Sequence, residues 1–205
     1  MRADATAQAL YDRHQSPKPL MLKNPLLREQ HFGIAEGHPY ARYKVPDLSI
    51  EEYYAQNIFP HPRNRNECFP GGESKEDLTK RAECAVNDIL VPYVDQATRE
   101  DFRVAIISHG LFIRVMVDVL IKLDTTTSAI VHEYKGLRNT GWTRMIVKVE
   151  VREDASTQFR VRVTDSNRHE HLGSLTRQQG GIGRMAYDAT QKDIRSFFGG
   201  RDGGS

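Results

Sequence analysis

His109 is the strongest candidate for a chemical role, because it lies in Ser108-His109-Gly110 between two apolar runs. The preceding run, Val104 to Ile107, is short and rich in β-branched residues, which predicts a strand buried on both faces, as in parallel sheets. The following run has helical spacing. Ligands of open α/β sheets bind at such strand ends. An imidazole there could act as a base, bind phosphate or, when protonated, stabilise an anion, and a purely structural histidine is the alternative.

Three further residues could take part in a site around His109. Gly110 has no side chain, so a ligand could approach the backbone next to the histidine. Arg2 could bind an anion, although a solvated charge is the simpler interpretation of this arginine taken alone. Glu29 is a surface carboxylate by default, and it becomes a candidate proton donor only if a reacting group lies nearby.

The other polar motifs have simpler structural interpretations. Glu73 is predicted to mark the start of a helix, and Arg114 to be a charge on a helix face. The sequence Gly180-Gly181-Ile182-Gly183 follows no predicted strand, so it is interpreted as a turn rather than a dinucleotide loop. His169 and His171 alternate, which is weak evidence for a metal site.

Composition indicates a globular protein without an obvious macromolecular partner. The chain has 205 residues, is 39% hydrophobic and 27% charged, and carries a net charge of +2 from well-mixed residues. We therefore expect no nucleic-acid or membrane surface. No apolar stretch approaches the ~20 residues of a membrane span, and the first residues lack the apolar core of a signal peptide. Cys68 and Cys84 are the only cysteines, which favours a reducing compartment such as the cytoplasm over a disulfide framework.

The first half of the chain predicts two helices and a long connection. Residues 2–13 are predicted to form a helix with Ala3, Ala7, Leu10 and Tyr11 on one face. Residues 20–28 are interpreted as a short edge strand or extended segment. A short helix is predicted over residues 50–57. The long connection is predicted to be a lid-like insertion around residues 34–72. Candidate substrate contacts within this insertion are Tyr40, Arg42, Tyr43, Arg63 and Arg65.

The second half predicts a long helix, the strand and helix around His109, and a hairpin. The long helix begins at the capping box Ser74 to Asp77 and ends near Pro92. Residues 145–151 and 158–163 alternate well enough for an antiparallel pair, joined at Asp154-Ala155-Ser156. The order of elements is an α/β three-layer pattern. We predict one incomplete domain over residues 1–198 and a disordered tail over residues 199–205.

Five groups of motifs, taken in order, resemble the histidine phosphatase superfamily, which has the phosphoglycerate mutase-like fold. Their order and spacing are similar to that family from Arg2 to about residue 151, and residues 167–172 resemble its closing segment. The motifs are Arg2-Ala3 with Thr6-Ala7, Leu27-Arg28-Glu29 with Phe32-Gly33 and Glu36-Gly37, Gly71-Gly72-Glu73-Ser74, Ser108-His109-Gly110 with Ile113-Arg114, and Asn139 ahead of a strand.

The resemblance implies a phosphate pocket. In the family, two arginines and two histidines surround the phosphoryl group, one histidine is the nucleophile, and a carboxylate protonates the leaving oxygen. By resemblance, Arg2 matches the second arginine, Glu29 the proton donor of the mutase-type arrangement, and His109 the second histidine, with Gly110 beside the phosphate. Fixed cationic donors stabilise the charge of a transferring phosphoryl group, so no metal or other cofactor is implied. The implied ligand is a small phosphorylated metabolite or a phosphate anion.

The chain departs from the family at the nucleophile. The family's Arg-His-Gly motif, at the end of its first and central strand, supplies the nucleophilic histidine and the first arginine, and no Arg-His-Gly occurs in these 205 residues. His14 and His31 are no substitutes, since neither follows a predicted strand or precedes glycine. We therefore expect an N-terminally truncated fold without the first βαβ unit, which takes ~30 residues, and without activity as it stands.

Three functions remain open from the sequence. The first is a phosphomonoester phosphatase, preferred to a phosphoglycerate mutase because nothing in the sequence specifies a sugar phosphate. The second is a non-catalytic phosphate-binding or scaffolding member of the same fold. The third is an unrelated α/β binding domain with an accidental resemblance. The sequence does not specify an oligomeric state.

Overall fold

The computed structural model of the chain describes residues 2–41, 48–126, 137–138, 140–151 and 157–170. Within these ranges the chain forms helices and an antiparallel pair of strands, so it contains both elements of the predicted α/β class. Short 3₁₀ turns lie at Pro25–Leu27, Gly33–Ala35 and Val91–Tyr93. The helices and strands are α1 (Arg2–Arg13), α2 (Ile50–Ala55), α3 (Lys75–Ile89), α4 (Val94–Ala97), α5 (Gly110–Lys122), β1 (Trp142–Val151) and β2 (Thr157–Arg168).

The predicted helices are confirmed where local signals specify them. The bounds of α1 agree with the prediction, although no side chain of this helix is buried. Capping boxes begin α2 at Ser49 and α3 at Ser74, because each hydroxyl accepts a backbone N–H three residues on while an acidic side chain there accepts the cap's own N–H. Helix α3 ends at Ile89, just before the 3₁₀ turn that contains Pro92.

The main hydrophobic core lies between α3 and α5. Each helix has an apolar stripe with a spacing of three or four residues, and the two stripes face each other. Phe112 on α5 is fully buried, and Leu78 on α3 is 1% exposed. Burying one such side chain contributes about 2 kcal/mol. The buried members of this core are Leu78, Ala82, Ala85, Val86, Phe112, Met116, Val119 and Leu120.

The predicted strand at Val104 to Ile107 is wrong for this structure. The segment has no strand assignment, and the described part of the chain contains only the β1–β2 sheet, which does not include it. Val104 is 45% exposed, whereas Ile106 packs against the core. A strand exists only when a neighbouring strand pairs with its N–H and C=O groups. The β-branched composition therefore indicates a preference for pairing that the described chain does not satisfy.

The strand alternative for residues 20–28 is also wrong, because the chain there is irregular up to Asn24 and then turns. Asn24 accepts a hydrogen bond from the N–H of Leu26 at 2.8 Å and begins the 3₁₀ turn Pro25–Leu27. Proline at the first position of the turn has no N–H to lose. The Asn24-Pro25 pair thus directs the chain towards α3 instead of extending it.

The predicted hairpin is confirmed and is longer than expected. Strands β1 and β2 pair antiparallel, with Val147 opposite Val161 and Lys148 opposite Arg160. Alternation therefore brings apolar side chains together on one face and mostly charged or polar ones on the other. The predicted turn at residues 154–156, Asn139 and the predicted tail at residues 199–205 lie outside the described residues.

Residues 32–72, here called the aromatic loop, have their two ends joined and their own small core. Phe32 and Gly72 form an isolated β-bridge, and the N–H of Ile34 donates to the carbonyl of Pro70 at 3.1 Å. The core of this loop is built from Phe32, Ala35, Phe59 and Phe69, with Tyr40 and Tyr54 against it. Whether the aromatic loop covers a ligand, as a lid would, stays a prediction.

Within the described residues, no helix combines the length and the apolar character needed to cross a membrane.

The two ends of the aromatic loop pack so closely that one added methyl group is predicted to destabilise the fold. Gly33 has φ +56°, and a Cβ there would overlap the carbonyl oxygen of Pro70 and lie 2.6 Å from the nitrogen of Gly72. We expect Gly33→Ala to lower the free energy of unfolding by about 2 kcal/mol or more, since backbone strain and overlap combine. Urea denaturation measures this change.

Gly37→Ala is the matched control. Gly37 has φ +82°, but a Cβ there would meet nothing within 4 Å. It should cost only the backbone strain of about 1 kcal/mol. Equal losses for the two variants would contradict the close packing of the loop ends.

Candidate functional site

His109 lies at the start of α5, as the sequence predicts. Its backbone is extended, with φ −116° and ψ 159°, and its carbonyl accepts the N–H of Ile113 at 2.9 Å. His109 is therefore the N-cap residue of the helix, and its ring is half-buried. The first N–H groups of a helix lack partners within the helix and favour negative charge. The imidazole thus stands next to a local environment that attracts anions.

The Glu29 carboxylate lies at this same helix end. Its Oε1 accepts the N–H of Phe112, in the first turn of α5, at 3.3 Å, and the N–H of Gln30 at 3.0 Å. Glu29 is half-buried. Two residues that are far apart in the sequence, Glu29 and His109, are therefore neighbours at the beginning of one helix.

The electrostatic environment of His109 involves two of the predicted site residues. Burial is the largest influence and lowers the pKa of His109, the negative charge of Glu29 raises it, and the positive charge of Arg2 lowers it further. The resulting pKa lies below the ordinary 6.5, so the ring is mainly neutral at pH 7. A bound anion would favour the protonated ring instead. The structure thus brings Arg2, Glu29 and His109 into one electrostatic neighbourhood.

The space beside Gly110 is partly occupied by Leu137. A Cβ at Gly110 would meet the carbonyl oxygen of Leu137 at 3.6 Å, an ordinary contact distance. The space next to this glycine therefore holds Leu137 in the structure. The role of Gly110 beside a phosphate stays a prediction.

Arg114 lines a small, mainly apolar cleft between α5 and the hairpin. The other lining residues are Ile113, Val117, Leu137, Thr143, Ser166 and Asn167. Arg2, Glu29 and His109 are not among them. The cleft is therefore not formed by these three residues, although Leu137 connects it to Gly110.

The candidate contacts in the aromatic loop divide into two kinds. Tyr40 stacks on His61, with ring centroids 3.6 Å apart, and Arg65 donates to Thr79 Oγ1 at 3.1 Å, so both have structural partners within the protein. Arg63 is exposed. Arg42 and Tyr43 lie outside the described residues.

Glu73 is more than the helix-start residue that the sequence predicts, because two arginines bind its carboxylate. Arg28 donates two hydrogen bonds to its carboxylate, at 2.6 and 2.7 Å, and Arg81 donates two more, at 2.9 and 3.0 Å. The N–H of His31 also donates to it at 3.0 Å. We call Arg28, Glu73 and Arg81 the Glu73 cluster. Two features of the sequence could have indicated this cluster: Glu73 directly precedes the capping box of α3, and Arg81 adjoins the apolar stripe of that helix.

The arginines of the Glu73 cluster keep Glu73 ionised. Burial acts to raise the pKa of Glu73, but the hydrogen bonds from Arg28, Arg81 and the His31 N–H outweigh burial and lower the pKa to about 2. The Glu73 side chain is only 15% exposed. A carboxylate so shielded is stable because its charge is fully hydrogen-bonded.

No metal centre is formed by the described residues, because no three of their His, Cys, Asp or Glu side chains are grouped closely enough to hold an ion. Cys68 and Cys84 are both free and exposed.

The lowered pKa of Glu73 predicts acid sensitivity. The folded-state pKa of about 2 lies below the ordinary 4.5, so ionised Glu73 stabilises the fold above pH 4.5. This contribution is lost as the pH falls towards 2. Glu73→Gln should lower the free energy of unfolding at pH 7 by about 2–3 kcal/mol. Below pH 4.5, the unfolding free energy of this variant should decrease less steeply with falling pH than that of the wild type. Denaturant unfolding between pH 7 and 2.5 measures both effects.

Glu83→Gln is the matched control, since Glu83 is exposed on the same helix. Its unfolding free energy should stay within about 0.5 kcal/mol of the wild-type value. Parallel acid curves for Glu73→Gln and the wild type would refute the stabilising role of the cluster.

Comparison with known proteins agrees with the order of the motifs along the chain. A family model described as the histidine phosphatase superfamily (branch 1) matches residues 1–152 of the 205. A search of curated proteins finds no significant match. The matched region includes every motif from Arg2 to Asn139 and ends before residues 167–172, whose resemblance to the closing segment stays a prediction. The chain belongs to the histidine phosphatase superfamily.

Proposed function

We propose that the chain carries the proton-donor side of a phosphomonoester phosphatase site, built from Arg2, Glu29, His109 and Gly110. The observation that supports this most directly is the Glu29 carboxylate, which accepts the N–H of Phe112 in the first turn of α5, the helix that His109 caps. That position is suited to an anion because of the helix dipole and the free N–H groups. A small phosphorylated metabolite or inorganic phosphate is the proposed ligand.

Each residue has a separate role in this proposal. Arg2 donates hydrogen bonds to phosphoryl oxygens, and His109 becomes protonated when the anion binds, so both stabilise the charge of the transition state. Glu29 delivers a proton to the leaving oxygen, which makes departure of an alcohol possible at neutral pH. No metal is required for these steps.

Hydrolysis through a phosphohistidine also needs a nucleophilic histidine. The family supplies it from Arg-His-Gly, a motif that these 205 residues do not contain. We therefore propose that the 205 residues alone bind phosphate without turnover. We further propose the family's three-layer arrangement for the active state, with the strand that carries Arg-His-Gly supplying the partner that residues 104–107 lack here.

A non-catalytic phosphate-binding or scaffolding protein is the second candidate function. The missing Arg-His-Gly favours it, and so does the lowered pKa of His109, which leaves the ring mainly neutral at pH 7 until an anion binds. No residue favours a sugar phosphate, so a phosphoglycerate mutase is a less direct proposal than a phosphatase. Two free, exposed cysteines support a reducing location such as the cytoplasm.

Binding of inorganic phosphate tests the proposed site. His109→Gln and Arg2→Gln should each weaken binding about tenfold at pH 7, since each removes a charge-assisted hydrogen bond worth about 1.5 kcal/mol. Glu29→Gln should strengthen binding, because a carboxylate competes with phosphate for the same helix end. Titration calorimetry measures all three affinities.

Matched controls for binding are His14→Gln and Arg13→Gln, which change exposed residues at the far end of α1. Both should bind phosphate as the wild type does. Equal affinities for the wild type and the His109 variant would refute the proposed site.

Hydrolysis of an aryl phosphate tests whether these 205 residues alone are catalytic. We expect the purified chain of 205 residues to show no turnover above the uncatalysed rate, because it contains no Arg-His-Gly. Release of the coloured phenol measures the rate. Turnover that His109→Ala abolishes would instead show that these residues suffice for catalysis, and would exclude the non-catalytic alternative.

A further inference from the structure

We infer that Arg81 is a positioning residue for the phosphate site, acting through the backbone of the segment that carries Glu29. The inference rests on the proposed function, because it assumes that Glu29 belongs to a phosphate site. The contacts around Arg81 that support it are independent of that function. From α3, Arg81 contacts the backbone carbonyl of Glu29 rather than its carboxylate. Its influence on the Glu29 side chain therefore passes through the backbone of that segment.

Arg81 binds three backbone carbonyl oxygens of one short segment. Its Nη1 donates to the carbonyl of Leu26 at 2.6 Å and to that of Arg28 at 2.8 Å, and its Nη2 donates to the carbonyl of Glu29 at 3.3 Å. The Arg81 side chain is only 9% exposed. A buried guanidinium that binds three carbonyls within four residues fixes the course of the chain that leads to the Glu29 side chain.

The opposite side of the guanidinium is fixed as well. Nε and Nη2 donate to the two carboxylate oxygens of Glu73 at 2.9 and 3.0 Å. The guanidinium also lies over the ring of Phe112, 4.9 Å from its centroid. Phe112 is the residue whose N–H donates to the Glu29 carboxylate. Arg81 therefore contacts both partners of that hydrogen bond, the backbone of Glu29 and the side chain of Phe112.

A second contact holds the same segment from the side of His109. Ser108 Oγ donates to the carbonyl of Leu27 at 2.5 Å. All four consecutive carbonyls from Leu26 to Glu29 are thus held, three by Arg81 on α3 and that of Leu27 by the residue before His109. The separation of Glu29 and His109 depends on both attachments.

Lysine cannot replace Arg81 in this role. The planar fork of arginine binds several acceptors in fixed directions, whereas an ammonium group is a single point on a flexible stem. Arg81→Lys keeps the positive charge, so the long-range field at His109 changes little. Any change at His109 in this variant therefore reports movement of Glu29.

The pH titration of the His109 ring, followed by NMR, provides the test. Among the described residues, Glu29 and Arg2 are the charges that act on this ring. We expect Arg81→Lys to lower the pKa of His109, in the same direction as Glu29→Gln, because the carboxylate that favours the protonated ring moves away. The double variant Arg81→Lys/Glu29→Gln should show no further decrease beyond Glu29→Gln alone.

Lys80→Gln is the matched control, since Lys80 is the exposed neighbour of Arg81 on α3, and it should leave the pKa of His109 unchanged. A folded Arg81→Lys variant with the wild-type pKa for His109 would overturn the inference. Should that variant not fold, Glu73→Gln replaces it, because the amide keeps only one of the two oxygens that orient Arg81. A decrease in the pKa of His109 then supports the inference, and an unchanged pKa overturns it.

Phosphate binding separates this inference from the proposed function. If the wild type binds no phosphate and the titrations behave as expected, Arg81 positions Glu29 but the proposed function fails. If the wild type binds phosphate and Arg81→Lys leaves both the affinity and the His109 titration unchanged, the proposed function survives and the inference fails.

Discussion

The pairing of Glu73 with Arg81 is the interaction on which the described structure depends most. An ionised carboxylate that is only 15% exposed is unfavourable unless its charge is compensated. Arg81 and Arg28 supply that compensation, and in doing so they connect the start of α3 to the segment that ends at Glu29. Packing of Arg81 on Phe112 extends the connection to α5. One ionic cluster thus joins both helices of the main core and the loop between Pro25 and Glu29.

The beginning of α5 concentrates the features that an anion needs. Free N–H groups and the helix dipole attract negative charge, and in this structure the Glu29 carboxylate satisfies one of those groups. His109 stands next to it with a pKa below the ordinary value. Under the proposed function, an incoming phosphate would displace the Glu29 carboxylate from the helix end and favour the protonated imidazole of His109. Ligand binding and proton uptake by His109 would then be coupled.

Strand pairing explains why the structure differs from the predicted three-layer sheet. The segment from Val104 to Ile107 has the composition of a buried strand, and Ile106 does pack on the core. Composition specifies a preference, but a strand also needs a neighbour for its backbone groups. Among the described residues such a neighbour exists for β1 and β2 alone, because a hairpin brings its own two strands together.

The sequence alone determined the features that depend on neighbours a few residues away. Capping boxes at Ser49 and Ser74, the apolar stripes of α3 and α5, and the alternation of the hairpin all follow from local spacing, and the order of the motifs identified the superfamily. The tertiary structure was needed for contacts between distant residues: Arg28 meets Glu73 across 45 positions, and Glu29 meets Phe112 across 83. Local patterns cannot specify these pairs, since each carboxylate has many arginines and N–H groups within reach of the unfolded chain. Only packing of α3 on α5 restricts Glu73 and Glu29 to the partners they have.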